Sequence, residues 1–156
     1  MLRRLRYQLD DKATFNIYMS LIIPVLRYCS LLTISLTSTQ SDRLKSLDRR
    51  ASNIIRNPNL VTPSIDSMNK KHACMFVKKC LNGSLCENFN NYFTILSHKK
   101  QTRNNHVALK LPKVRTEFAK KSVFFSAAKL YNELPNNIRH VSCESKFRSL
   151  LNNHFT

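Results

Sequence analysis

Apolar side chains recur at helical spacing along most of this chain. Behind Asp10 and Asp11, whose carboxylates suit the start of a helix, come Phe15, Tyr18, Met19, Ile22, Leu26 and Cys29 at three- and four-residue steps. Apolar residues on nearly every side from Leu21 to Ile34 predict the central, most buried element, kinked or split at Pro24. The polar break from Thr37 to Asp42 sets Thr39 and Asp42 at capping-box spacing. A stripe of Leu44, Leu47, Ala51, Ile54 and Ile55 then predicts a second helix, ended by Asn57-Pro58. Thr62-Pro63 opens a third, which carries Ile65, Met68, Cys74, Met75 and Cys80 and closes at Asn82 and Gly83.

From Ser84 to Leu111 the periodicity fades. Phe89, Tyr92, Phe93, Ile95 and Leu96 suit a short helix or a packed loop. Val107, Leu109 and Leu111 alternate like a short extended segment before Pro112. The stretch from Arg115 to Arg139 then forms an anchor. Its helix groups Phe118, Val123, Phe124, Ala127, Ala128 and Tyr131 on one broad apolar side. It must stop near Leu134, because Pro135 has no N–H and disfavours α geometry in the residue before it. Asn136-Asn137 suits a turn that folds Ile138 back, which makes Tyr131, Leu134 and Pro135 the structural anchor. Ser142 or Ser145 is placed to cap a last helix holding Phe147, Leu150, Leu151 and Phe155.

The whole chain contains one glycine, which argues for helices over a β-rich fold. The expected fold is all-α: a single helical domain of about five to six helices, with a basic loop and one short extended segment. Its expected divisions are a helical region at 1–98, a basic linker at 99–114 and a C-terminal helical anchor at 115–156.

Charge narrows the function further. Lys and Arg number 26 against 9 Asp and Glu, a net +17. An excess of that size points to a polyanionic partner, with nucleic acid first and an acidic membrane surface second. The candidate nucleic-acid-binding residues are Arg103, Lys110, Lys113, Arg115, Lys120, Lys121 and Arg139, with Lys99 and Lys100 in the same basic region. Such cations serve phosphate contact, whereas no helix-turn-helix, zinc finger or RNP aromatic pattern appears for reading bases.

Other chemistry is weakly signalled. His72, Cys74, Cys80 and Cys86 lack the close pair of thiolates that a tetrahedral zinc site uses, so they read as core and surface residues. His140 and Cys143 have no third group to orient a thiol and its base. No metal, cofactor or catalytic residue is expected. The five cysteines have no framework spacing, and the first residues lack an apolar core after their arginines. Reduced thiols and an intracellular site, cytoplasmic or nuclear, are the expectation. Residues 17–36 approach membrane-spanning length, but Pro24 and Arg27 argue for buried helices and against a membrane span.

Taken together, several segments resemble the C-terminal part of a non-LTR (LINE-type, jockey/CR1-like) retrotransposon reverse transcriptase. IYMSLIIPVLRYCS at 17–30 is similar to the family's Y-x-S-L-I-x-P-x-L-x-Y segment, and LKSLDRRASNIIR at 44–56 to its L-x-x-L-Q-x-R-A-x-R-x-I helix. Thr102-Arg103, Leu111-Pro112, Arg115-Thr116 and Lys121-Ser122 follow in the family's order. LYNELPNNIRHVSCESKFRSLL resembles W-N-x-L-P-x-x-I-R-x-x-x-S-x-x-x-F-K-x-x-L, with Tyr131 where Trp is usual. Asp48 replaces a frequent Gln, and Ala128 a frequent Gly.

The resemblance implies a thumb and post-thumb region that contacts primer–template duplex, without the palm and its metal-binding aromatic-x-Asp-Asp hairpin. The adjacent pair Asp10-Asp11 has no such aromatic and reads as helix N-terminal charge. The expected function is therefore non-catalytic, sequence-independent binding of a nucleic-acid backbone, RNA or RNA/DNA duplex. The alternatives are a basic helical module docking an acidic protein or membrane surface, and an inactive pseudogene product.

Overall fold

In a computed structural model the described residues are 4, 7–28, 30–55, 64–89, 91–96 and 108–155. Among them the fold is all-α, and the extended structure is one isolated antiparallel bridge between Ile95 and Leu109. Two compact units divide the chain, Met1–Asn69 and Lys70–Thr156, and their boundary falls within a helix. The division expected at 98/99 lies outside the described residues, and the one at 114/115 falls within the second unit.

In the first unit, α1 (Asp11–Ile17) is capped by Asp10, whose side chain accepts from the Ala13 N–H at 2.8 Å. It runs into a π-helical turn, Tyr18–Ile22, and then α2 (Ile23–Tyr28). In that turn the Ile23 N–H reaches back to the Tyr18 carbonyl. The widened turn ends two residues before Pro24, which has no N–H to continue the α ladder. A short α3 follows (Ser30–Thr33).

This stretch is not the fully buried element that its apolar content predicts. Tyr18, Ile23 and Ser30 are buried, but Leu21, Val25, Tyr28 and Leu32 face solvent, Tyr28 at 91% exposure. A helix packed against its own unit on one side can cover only that side, whatever the opposite side is made of.

The next helix, α4 (Ser38–Ile54), opens two residues earlier than the Thr39–Asp42 spacing suggests. Thr37 and Gln40 form the capping box, with the Gln40 N–H reaching Thr37 Oγ1 at 3.4 Å and the Thr37 N–H reaching Gln40 Oε1 at 3.1 Å. Gln supplies the reciprocal acceptor, and Asp42 instead lies 3.8 Å from Lys45. Leu47, expected in the apolar stripe, is exposed. Asp48 turns inward instead, accepting from the Ile65 N–H at 3.3 Å, and Ala51 of the same helix is buried. Burial, and then the Asp48 charge, push the Tyr18 phenol up to about 12.

The helix α5 (Ile65–Leu81) ends in a Schellman motif, as its Asn-Gly close predicts. Gly83 sits at φ +68°, its N–H reaches the Cys80 carbonyl at 3.2 Å, and the Ser84 N–H reaches Lys79 at 3.0 Å. Thr62 and Pro63, expected to open it, and Asn57-Pro58 lie outside the described residues.

The second unit is built on aromatic contacts. Phe76 of α5 packs edge-on to Phe89 and Phe93, and Phe124 meets Phe76, Phe93 and the stacked ring of Tyr92, 4.2 Å away. Residues 84–89 and 91–96 therefore read as packed loop with one 3-10 turn, Glu87–Phe89. The anchor comprises four pieces: α6 (Glu117–Lys120), α7 (Val123–Glu133), α8 (Asn136–Arg139) and α9 (Glu144–His154). Tyr131, Leu134 and Ile138 are buried, while Pro135 is exposed at the stop.

Cys143 occupies the N-cap of α9 without a side-chain cap bond, in place of the expected Ser142 or Ser145. The α9 start is tied down differently. Glu144 accepts from Ser84 Oγ at 2.8 Å and from the Asn82 amide at 3.4 Å, and the Ser84 bond leads in holding its carboxyl below the usual range.

Candidate nucleic-acid interface

The segment that carries the cations is held at both ends. Asn132 of α7 grips the backbone of Leu109: its side-chain oxygen accepts the Leu109 N–H at 2.8 Å, and its amide donates to the Leu109 carbonyl at 3.0 Å. The bridge to residues 94–96 secures the same point, through the Leu96 N–H to Ala108 and the Lys110 N–H to Thr94, both 2.8 Å. Leu109 itself is buried. At the other end Thr116 caps α6, accepting from the Ala119 N–H at 3.2 Å. Ser122 then caps α7, accepting from the Phe125 N–H at 3.3 Å.

Between and beside these fastenings Lys110, Lys113, Arg115, Lys120 and Lys121 are all exposed. Lys120 is partly committed, because its ammonium lies 2.5 Å from Glu117 Oε1. That hydrogen bond is the main cause holding the Glu117 carboxyl below its ordinary range, with the Lys120 charge second. A surface pair of this kind contributes little to stability and is screened by salt. Among the described residues Lys110, Lys113 and Arg115 make no ion pair, and Lys121 adds only a lesser charge effect at Glu117 beside the Lys120 bond.

Arg139 does not join them. It is only 9% exposed, and its guanidinium donates to the Asn136 side chain, so it belongs to the packing around α8 and faces no open phosphate surface. The i, i+3 spacing of Asn136 and Arg139 on one turn accounts for this. Arg103, Lys99 and Lys100 lie outside the described residues. The first unit presents cations of its own along α4, where Arg43, Lys45, Arg49 and Arg50 are exposed.

Of the residues expected on the anchor's apolar side, all but one are buried or half-buried. Tyr131 is fully buried, its ring tilted against Phe147 at 6.2 Å and its hydroxyl donating to the Arg139 carbonyl at 3.5 Å. Burial pushes that phenol up to about 12. Leu134 is buried and ends α7 with extended backbone. Phe118 is the exception. It leaves the expected apolar side and is 88% exposed, because the helix breaks at Lys121 and restarts at the Ser122 cap. The Lys121 N–H, shared between the Glu117 and Phe118 carbonyls at 3.3 and 3.1 Å, closes α6 after one turn.

Cys74 and Cys80 are buried and Cys86 exposed; burial drives the Cys74 thiol up to about 12, and raises Cys80 as well. Among the described residues no three His, Cys, Asp or Glu side chains are grouped to hold a metal ion. Cys143 is exposed and bonds Ser145 Oγ at 3.0 Å, the leading cause that draws its thiol down to about 7. Among the described residues no helix is long and apolar enough to cross a membrane.

Sequence reasoning passed over two side chains that matter here. Asn132 was visible only as part of LYNELP, and its role needs Leu109, 23 residues earlier, to be in place. Lys78 is buried with its ammonium 5.6 Å from the centre of the Phe147 ring. Burial lowers its pKa, against an opposing pull from Glu144. Fold and surface together define an all-α protein with a strongly basic exterior. No protein-family model, no curated protein and no solved structure matches the chain.

Proposed function

We propose that this chain is a non-catalytic thumb and post-thumb region of a non-LTR reverse transcriptase, binding the nucleic-acid backbone of RNA or an RNA/DNA duplex without sequence preference. The observation that carries the reading is the tethered basic segment. Lys110, Lys113, Arg115 and Lys121 are exposed on backbone fastened by the Asn132 grip and the Thr116 and Ser122 caps. Fastened cations lose less freedom on meeting phosphates than cations on a loose loop would. The ordered motifs that resemble the reverse transcriptases support the same reading, and the LYNELP string has a physical use here. Tyr131 and Leu134 fill the core, and Asn132 between them holds the basic segment.

The test is a salt titration of duplex binding. Replacing Arg115 and Lys121 by Ala lowers the slope of log affinity against log salt by roughly one to two, about one per lost phosphate contact. Helicity by circular dichroism stays at the parent value, since both side chains are exposed. Parallel slopes in a folded double variant would refute the phosphate role.

A second reading, a helical interaction module, is favoured by one separate observation. Leu21, Val25, Tyr28 and Leu32 are exposed apolar side chains at sequence spacings of four, three and four residues, the spacing with which one helix meets another. Parallel slopes in the salt titration would bring that reading forward.

A further inference from the structure

We propose that Phe118 is a stacking platform for an unpaired nucleobase, so that the polyanion held by the neighbouring cations carries a single-stranded stretch. This rests on the phosphate-binding reading above and sharpens its ligand. At 88% exposure Phe118 is the most exposed large apolar side chain among the described residues of the second unit. Its backbone is nonetheless well fastened. Thr116 caps the turn from one end, the Lys120–Glu117 pair spans it, and the Lys121 N–H closes it at the other. Phe118 and Lys121 are three residues apart on this turn and so are neighbours on its surface. Lys113 and Arg115 precede it on the same exposed segment.

The combination discriminates among polyanions. A duplex keeps its bases stacked on one another and offers an aromatic ring only sugars and phosphates. An acidic peptide offers carboxylates to the cations and no flat partner to the ring. A single strand supplies both, with phosphates for the cations and a base whose π-face can lie on Phe118. Such stacking tolerates any base, which suits a chain without a base-reading motif. Tyr92, the other exposed Phe or Tyr ring among the described residues of this unit, already has one face taken by Phe124, whereas no ring contact covers Phe118 among them.

The experiment measures, by fluorescence anisotropy on the full chain, binding to an unstructured single-stranded oligonucleotide and to a duplex of equal length. Phe118→Ala is expected to weaken single-strand binding by roughly 5- to 150-fold, the loss expected for one stacked base. Duplex affinity and the salt slope stay unchanged. Phe118→Leu, which keeps apolar bulk without a flat ring, behaves like Phe118→Ala, and Phe118→Tyr keeps the parent's affinity. An oligonucleotide of abasic sites binds parent and Phe118→Ala equally. Salt-dependent binding by the parent with no single-strand loss in Phe118→Ala, or equal losses on both ligands, overturns this inference and leaves the phosphate-binding reading standing. A parent that binds neither oligonucleotide, or binds poly-glutamate more tightly than the single strand, overturns both.

Discussion

Removing the ring of Tyr131 tests the anchor most directly. The side chain has no exposed surface, lies against Phe147 and sits one residue before the Asn132 grip. Truncating a buried aromatic to Ala removes its transfer free energy and leaves a cavity, which together cost about 3–5 kcal/mol. Tyr131→Phe removes only the hydroxyl, whose bond to the Arg139 carbonyl is long at 3.5 Å, so its cost falls near the low end of about 0.5–1.5 kcal/mol. Against a total stability of about 5–15 kcal/mol, the Ala variant loses a third or more of the fold's margin in most of that range. At about 2–4 °C per kcal/mol for a chain of this size, its melting temperature drops by roughly 6–20 °C. Urea unfolding followed by circular dichroism gives the free energies. An Ala variant within about 1 kcal/mol of the parent would refute the packing argument. Phe and Ala variants of equal stability would show that the hydroxyl, and not the ring, holds the anchor.

Three further outcomes follow from particular contacts. Asn132→Ala strips both hydrogen bonds from the buried Leu109 backbone and should cost about 1–3 kcal/mol, with faster hydrogen exchange at the Leu109 amide; unchanged exchange there would contradict the grip. The same variant should weaken nucleic-acid binding although it removes no charge, and an unaltered affinity would mean that the tether does not position the cations. The Cys143 thiol, drawn down to about 7 chiefly by Ser145, should be alkylated with a rate that rises through pH 7, read site by site by mass spectrometry. Because the folded value lies below the ordinary one near 8.5, its small stabilising effect is present above that ordinary value and lost as pH falls through about 7. Ser145→Ala should move the alkylation midpoint upward, and a midpoint that stays put would show that another group sets it.

Much of this protein is legible in its sequence where the cause is local. Asp10 at the head of α1, the stop at Leu134-Pro135 and the Asn82-Gly83 close of α5 each depend on neighbouring backbone groups, so residue type and spacing suffice. The all-α class follows equally from periodicity and the near-absence of glycine. Tertiary structure decided what the same local signals leave open. Apolar periodicity says which residues share a face but not whether anything covers it, so Tyr18 and Tyr28 differ completely in exposure. Charge says that a cation exists but not where it points, and Arg139 turns inward to Asn136 while Arg115 stays in solvent. The grip of Asn132 on Leu109 is a contact across 23 residues, and only a folded chain brings its two ends together.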